Sequence, residues 1–374
     1  MSAQSPLIAH FVKLIETQGP IGVDRFMTDA LMHPQHGYYV SQTPFGRGGD
    51  FITAPDISQM FGELVGVWAA DSWDRIGRPH KIALVELGPG RGTLMADALR
   101  ALHTIQPFLV AMELHMVEGS DRLRAIQSRA IDRPITHHTS IEDLPRDCPI
   151  IVIANEFLDA LPIKQFQKTA GGWRERLVDL NRTQPEPATP WAPFRFQLST
   201  QALKAPAALL GSRVRGAALG AIAEKSPACE SVVSSLARQI GKQGGAALFI
   251  DYGPRQSALG DSLQAVQNHQ YAPLFDAPGT ADLTAHVDFE ALKTIAAKAG
   301  AACFSITDQG EFLKALGIEA RASALIRTAS PKLAQDVQSA LHRLTHQEQM
   351  GQLFKVLAFA QPGITALAGL PYDG

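Results

Sequence analysis

Lys81-Ile82-Ala83-Leu84-Val85-Glu86-Leu87-Gly88-Pro89-Gly90-Arg91-Gly92 is the stretch on which the reading of this chain turns. The apolar run Ile82 to Leu87 is short, partly β-branched and stopped by a glycine, which predicts a buried strand ending in a turn. Gly88, Gly90 and Gly92 then alternate, and Thr93 to Leu99 has helical character. Strand, glycine loop and helix in that order form the unit at which open α/β sheets bind nucleotides.

Residue by residue, the loop narrows the choice of ligand. Glycine has no Cβ, so the backbone can bend sharply and a ligand can lie almost on the peptide plane. The dinucleotide fingerprint G-x-G-x-x-G would need glycine at position 93, where Thr93 stands, and no Lys-Ser/Thr pair follows to make a P-loop. What remains is Glu-x-Gly-x-Gly-x-Gly with Glu86 inside the strand end. This pattern resembles motif I of the class I S-adenosylmethionine (SAM) methyltransferases, which implies an acid facing the cationic methionine end of the cofactor. A second apolar run, Leu114 to Val117, ends in Glu118. An acid at the tip of the second strand of such a sheet accepts hydrogen bonds from ribose hydroxyls, so Glu118 is the expected ribose ligand. The interval exceeds the usual ~20 residues, and the region of Pro107 reads as an insertion.

Composition sets the outer limits. A chain of 374 residues is too long for one ordinary core. With 45% hydrophobic and 19% charged residues it reads as globular. A net charge of −2 gives no electrostatic reason for a nucleic-acid groove. Cys148, Cys229 and Cys303 are far apart and form no C-x-x-C, which suits a reducing compartment. No apolar run approaches the ~20 residues of a membrane span, so no membrane insertion is expected. The N-terminus shows neither a secretory apolar core nor an Arg/Ser-rich presequence, and the expected location is cytoplasmic.

Along the chain, amphipathic helices are predicted at Pro6–Glu16 and Asp24–Leu31, and another from Asp56 with the capping-box pattern Asp56-x-x-Gln59. Gly62 and Gly66 mark a close helix approach. Strands are predicted at Ile82–Leu87, Leu114–Glu118, Ile135–His138, Ile150–Ala154, Ala247–Asp251, Phe304–Thr307 and Phe354–Phe359. Helices between the early ones argue for an α/β fold with a parallel sheet. The scheme is interrupted at about 160–245, with a hairpin of Lys164–Lys168 and Arg174–Leu180, and at about 310–349, with helices Glu311–Leu316 and Pro331–Leu344. Insertions at the carboxyl edge of such a sheet commonly build substrate sites. The expected division is an N-terminal helical segment with a glycine-rich loop over 1–76 and a ligand-binding domain over 77–374.

Other residues could do chemistry at the same edge. Asn155, Glu156 and Asp159 follow the strand Ile150–Ala154, where the reactive end of a bound ligand would lie. A carboxylate there can take a planar guanidinium bidentately and aim one nitrogen; the plain alternative is backbone capping. Ser140 and Ile141 follow the strand Ile135–His138, where an apolar residue can face an adenine ring. Asp251 could line the acceptor side, and Asp282 to Asp288, with His286, is expected to open a helix. His33/His36 and His342/His346 read as surface pairs without a third ligand, so no metal is predicted.

With these residues in place, the chain resembles the MidA-like family of class I SAM-dependent methyltransferases linked to assembly of respiratory complex I. The resemblance rests on His36-Gly37-Tyr38-Tyr39, Gly49-Asp50-Phe51-Ile52-Thr53-Ala54-Pro55-Asp56-Ile57-Ser58-Gln59, Glu86 to Gly92, Ala154 to Pro162, and Asp282 to Phe289. It implies a Rossmann-like, seven-stranded, mostly parallel sheet whose last strand inserts antiparallel beside the second-last. It further implies SAM as cofactor and a protein arginine as acceptor, since the family's mitochondrial members methylate a complex I subunit. Adenine is then expected at Ser140 and Ile141, the methionine portion at Glu86, Gly88, Gly90 and Gly92, and the acceptor at Glu156, Asn155 and Asp159. The glycines of 46–55 predict a loop that closes over the cofactor. A non-catalytic SAM-binding assembly factor and an NAD(P)-dependent oxidoreductase are the competing readings.

Overall fold

The computed structural model describes residues 5–41, 53–182 and 192–372. The expected glycine-rich closing loop falls largely on 46–52, outside the described residues. Contacts divide the chain into two units, each assembled from three segments. One comprises Met1–Phe51, Asp159–Cys229 and Ser257–His286, the other Ile52–Leu158, Glu230–Gln256 and Val287–Gly374. This division differs from a cut at residue 76, because Gln59–Arg75 packs within the second unit.

The second unit carries the sheet read from the sequence. Its strands are β1 (Ile82–Leu87), β2 (Met112–Val117), β3 (Ile135–His138), β4 (Ile150–Asn155), β5 (Gly245–Tyr252), β6 (Ala302–Cys303), β7 (Thr307–Asp308) and β8 (Phe354–Ala360). The order is β3-β2-β1-β4-β5-β8, with β6 and β7 both on the far side of β8. The first five strands run parallel, and β8 is antiparallel to β5, as the resemblance implies. The outermost position holds two short strands rather than one, so among the described residues the sheet has eight strands where seven were expected. Between them Phe304 N–H still donates to Ala358 O of β8 at 3.1 Å, Ser305 N–H donates to Pro371 O at 2.8 Å, and Phe304 bridges to Tyr372. The strand expected over Phe304–Thr307 is broken at Ser305 and Ile306.

Every residue of β1 and β4 is buried, as continuous apolar runs in a doubly covered sheet should be. Register decides which face each side chain joins. Glu86 pairs with Met116 and Ile153, and side chains two apart share a face. Ile82, Leu84, Glu86, Met116, Ile153 and Asn155 therefore lie on one side. The apolar members join a core with Phe61, Val65 and Trp68 of Gln59–Arg75 and with Leu94, Met95 and Ala98 of Thr93–Leu102.

The two helices approach closely, as Gly62 and Gly66 suggested. A Cβ on Gly62 would stand 2.7 Å from Leu94 O, and one on Gly66 2.8 Å from Ala98 Cα. The capping box expected at Asp56 does not form. The chain instead makes a short helix, Ala54–Ile57, breaks at Ser58, and restarts with Ser58 Oγ accepting from Met60 N–H at 3.2 Å. Asp56 turns away to pair with Arg91. Three helices rather than two fill the later insertion, Gln309–Ala315, Ile318–Ile326 and Pro331–Thr345. The additional one supplies Arg321, whose guanidinium meets the buried Glu63 carboxylate at 2.7 and 2.9 Å.

The first unit holds the N-terminal helices, now bounded at Pro6–Gln18 and Val23–Met32, and a five-stranded sheet containing the expected hairpin, Lys164–Thr169 with Gly172–Leu180. Its core gathers Leu7, Phe11, Phe26, Tyr38, Val178 and Phe194. Asp282–Thr284 is a strand of a further three-stranded sheet, not a helix start. In the second unit the helix Phe289–Lys298 begins at Asp288, whose Oδ1 accepts from Ala291 N–H at 3.1 Å.

Gly66→Ala tests the helix contact. Overpacking against the Ala98 backbone costs about 1–3 kcal/mol, against a helix-propensity gain of at most about 1 kcal/mol. The expected outcome is a lowered midpoint in thermal denaturation.

Candidate functional site

At the carboxyl end of β1, Gly88, Gly90 and Gly92 adopt φ of 61°, 52° and 79°. These values favour glycine, and space demands it too. A Cβ on Gly88 would lie 2.8 Å from Phe157 Cδ2, and one on Gly92 3.2 Å from Ile131 Cδ1. The loop is tied to β2 by Gly88 N–H donating to Val117 O at 3.1 Å. Just before it, Glu86 is only 4% exposed, and its Oε2 has no hydrogen-bond partner among the described residues. Burial pushes its carboxyl pKa up to about 8. Ionised, such a group is costly to keep until a cation meets it. A ligand with an ammonium and a sulfonium, as SAM has, fits that requirement and the glycine cradle.

Glu118 follows β2 directly. Its N–H donates to His138 O at 2.9 Å, and its Oε1 accepts from Ser120 N–H at 2.8 Å. Its backbone carbonyl accepts from Arg124 Nε at 2.8 Å. Burial raises its pKa, opposed by the bonds from Ser120 and Gln127 and by the Arg124 charge. Ser140 and Ile141 follow β3. The Ser140 hydroxyl is engaged with the Glu142 carboxylate, and Ile141 is buried.

At the end of β4, Asn155 is buried, and its Oδ1 lacks a partner among the described residues. Its Nδ2 donates to Glu156 Oε1 at 3.0 Å, and Ala54 N–H donates to the same oxygen at 3.0 Å. Glu156 has φ of 50°, a left-handed conformation that a non-glycine residue keeps only when its surroundings impose it. They do: Glu156 N–H donates to Ile250 O at 2.9 Å. Asp251, 1% exposed, takes Phe157 and Leu158 N–H on Oδ2 at 3.2 and 2.9 Å, and Tyr252 N–H on Oδ1 at 2.9 Å. Asp251, considered in sequence for the acceptor side, thus clamps the turn that carries Glu156.

Glu86, the three glycines, Glu118, Ser140, Ile141, Asn155 and Glu156 all belong to the sheet-bearing unit, and Asp159 belongs to the other. There its backbone O accepts from Ala285 N–H at 3.0 Å. In the same unit the Tyr39 hydroxyl donates to Asp282 Oδ1 and Oδ2 at 3.0 and 3.1 Å. Burial, then the Asp282 and Asp159 charges, raises the Tyr39 pKa well above its usual value. The sequence reading passed over Gln127, fully buried on the helix Asp121–Ala130. Its Nε2 donates to Gly90 O at 2.8 Å and lies 3.4 Å from Glu118 Oε2. A glutamine on the inward face of an otherwise amphipathic helix was the available signal. Among the described residues no cluster of three or more His, Cys, Asp or Glu side chains could hold a metal ion. Nor is any described helix long and apolar enough to cross a membrane.

A glycine cradle and strand-end acids on a sheet of order β3-β2-β1-β4-β5-β8 define a class I methyltransferase. The family model of S-adenosyl-L-methionine-dependent methyltransferases matches residues 64–307, and the chain belongs to that family, with SAM as its cofactor. It is 35% identical to the Danio rerio protein named protein arginine methyltransferase NDUFAF7, mitochondrial, over 95% of this chain and 86% of that one. Identity to the Homo sapiens protein of that name is 33%, covering 95% and 83%, and to the Drosophila melanogaster homolog 37%, covering 95% and 84%. A Burkholderia thailandensis protein solved with bound S-adenosyl-homocysteine superposes with TM-score 0.82 at 29% identity, covering 97% of this chain and 93% of that one. Membership of this family removes the NAD(P)-dependent oxidoreductase reading. The cytoplasmic expectation is corrected as well, because these curated relatives are named mitochondrial proteins. Three separated thiols fit any reducing compartment and do not single out the cytoplasm.

Glu86 makes a pH prediction. In the folded protein its carboxyl holds a proton up to about pH 8, which the unfolded chain releases near 4.5. Stability from this group is full below the unfolded value and is lost as pH rises through the folded one. In thermal scans of the ligand-free protein between those limits, Glu86→Gln should flatten the fall in melting temperature. An undiminished fall would assign the pH dependence to another group.

Proposed function

We propose that this protein transfers the methyl group of SAM to a guanidinium nitrogen of an arginine in a protein substrate, a subunit of respiratory complex I. The observation that carries this reading is the likeness, over 95% of the chain, to relatives named protein arginine methyltransferase. When bound, SAM supplies a methyl group on a sulfonium, already a good leaving group. The chain's own contribution is then positioning and electrostatics.

In this reading Glu86 and the loop of Gly88, Gly90 and Gly92 receive the methionine portion, and Glu86 becomes ionised against its positive charge. Glu118 takes the ribose hydroxyls, and Ser140 and Ile141 flank the adenine. Glu156 presents a carboxylate to the acceptor guanidinium, aims one nitrogen and holds the proton released from it, with Asn155 assisting. Support for a special role of Glu156 comes from its imposed backbone conformation, since strain of that kind collects at functional sites.

Two substitutions separate the roles. Glu118→Ala removes a charge-assisted hydrogen bond, so calorimetry should show SAM affinity lower by about tenfold to a hundredfold, with the apo melting temperature nearly unchanged. Glu156→Gln keeps an oxygen for Ala54 N–H but loses the charge. SAM binding should persist while methyl transfer to captured substrate falls by about a hundredfold or more. Undiminished transfer would move the acceptor role elsewhere. Full complementation of a deletion strain by a variant without transferase activity would favour a non-catalytic assembly factor.

A further inference from the structure

We infer that Gln127 is a positioning residue of the cofactor site, fixing the glycine loop against Glu118, and that His137 sets the direction in which its amide faces. The inference rests on the assignment of Glu118 and the glycine loop to SAM.

Gly90 O can only accept, so the amide group 2.8 Å from it must be the Nε2 of Gln127. That choice turns Oε1 toward His137, whose Nε2 stands 2.9 Å away and must carry the proton. Burial, then the Arg124 and His138 charges, lowers the His137 pKa, which favours the neutral ring, and the contact with Oε1 places its single N–H at Nε2. One side chain thus spans the loop carbonyl and, at 3.4 Å, the Glu118 carboxylate. No other orientation of the amide satisfies all three neighbours.

Packing holds the side chain in place. A Cβ on Gly92 would meet Gln127 Cγ at 3.4 Å and Cα at 3.5 Å, so the loop lies directly on this residue. Arg124, one turn earlier on the same helix, donates to the Glu118 carbonyl. The helix Asp121–Ala130 therefore fixes both the backbone and the carboxylate of Glu118. His137 pairs with Met116 in register, on the sheet face that also carries Glu86.

The test is a double-substitution cycle read by calorimetry with S-adenosylhomocysteine, beside the apo melting temperature. Gln127→Met should weaken binding about tenfold, as loss of buried hydrogen bonds predicts. His137→Phe should weaken it less, and the double variant no more than Gln127→Met alone. A merely structural role would lower the melting temperature without this coupling in affinity. If Gln127→Met does not fold, Gln127→Glu keeps the shape and the acceptor for His137 but turns an acceptor toward Gly90 O; it should also bind more weakly. Wild-type affinity in the Gln127 variants, or penalties that simply add in the double variant, would overturn the inference. Glu118→Ala separates the two levels. If it weakens binding while the Gln127 variants do not, the site assignment stands without this inference; if it binds normally as well, both fall.

Discussion

A carboxyl group at the end of a fully buried strand, with one oxygen unmet among the described residues, is the constraint around which the sheet-bearing unit is arranged. Burying Glu86 is unfavourable by itself. It is held there because Ile82 and Leu84 on the same face belong to a core closed by two helices packed glycine-to-backbone. The close approach at Gly62 and Gly66 thus supports the strand end that carries Glu86. The helix Thr93–Leu102 begins where the glycine loop ends, so the contact that secures the core also fixes the loop.

The second fixed point is the turn after β4. Asp251 satisfies two backbone N–H groups after the neighbouring strand end and one, Tyr252, on its own strand, and Glu156 is held in the left-handed region. The Glu156 carboxylate then takes the N–H of Ala54, in the segment whose Asp56 pairs with Arg91 of the glycine loop. The residues after β1 and after β4 are in this way connected through one short piece of chain, Thr53 to Ile57.

Much of this was legible in the sequence. Continuous apolar runs bounded by glycine or acid located β1, β2, β4, β5 and β8 to within a few residues, because strands buried on both faces carry that pattern, whereas the edge strand β3, Ile-Thr-His-His, is half-exposed. Gly88, Gly90, Gly92 and Glu86 were readable because a backbone at positive φ and an acid inside a strand are local signals. The split of the outer strand was not, since nothing in the local pattern of Phe304–Thr307 marks a break at Ser305 and Ile306. The capping pattern at Asp56 misled for a similar reason: a distant arginine outcompeted the helix N–H groups. Asp251 looked like a ligand-lining acid because sequence cannot say whether a carboxylate faces a cavity or a backbone turn. Gln127 was missed because its partners lie on three different elements.

The division of the chain also has a consequence for its synthesis. The chain passes from one unit to the other at 51/52, 158/159, 229/230, 256/257 and 286/287. Neither unit is a contiguous piece that a ribosome could deliver complete before starting the other. The sheet feels this most at β5, whose neighbour β8 is translated about a hundred residues later. Until then Gly245–Tyr252 offers an apolar strand with one side unpaired, the kind of edge that recruits other chains.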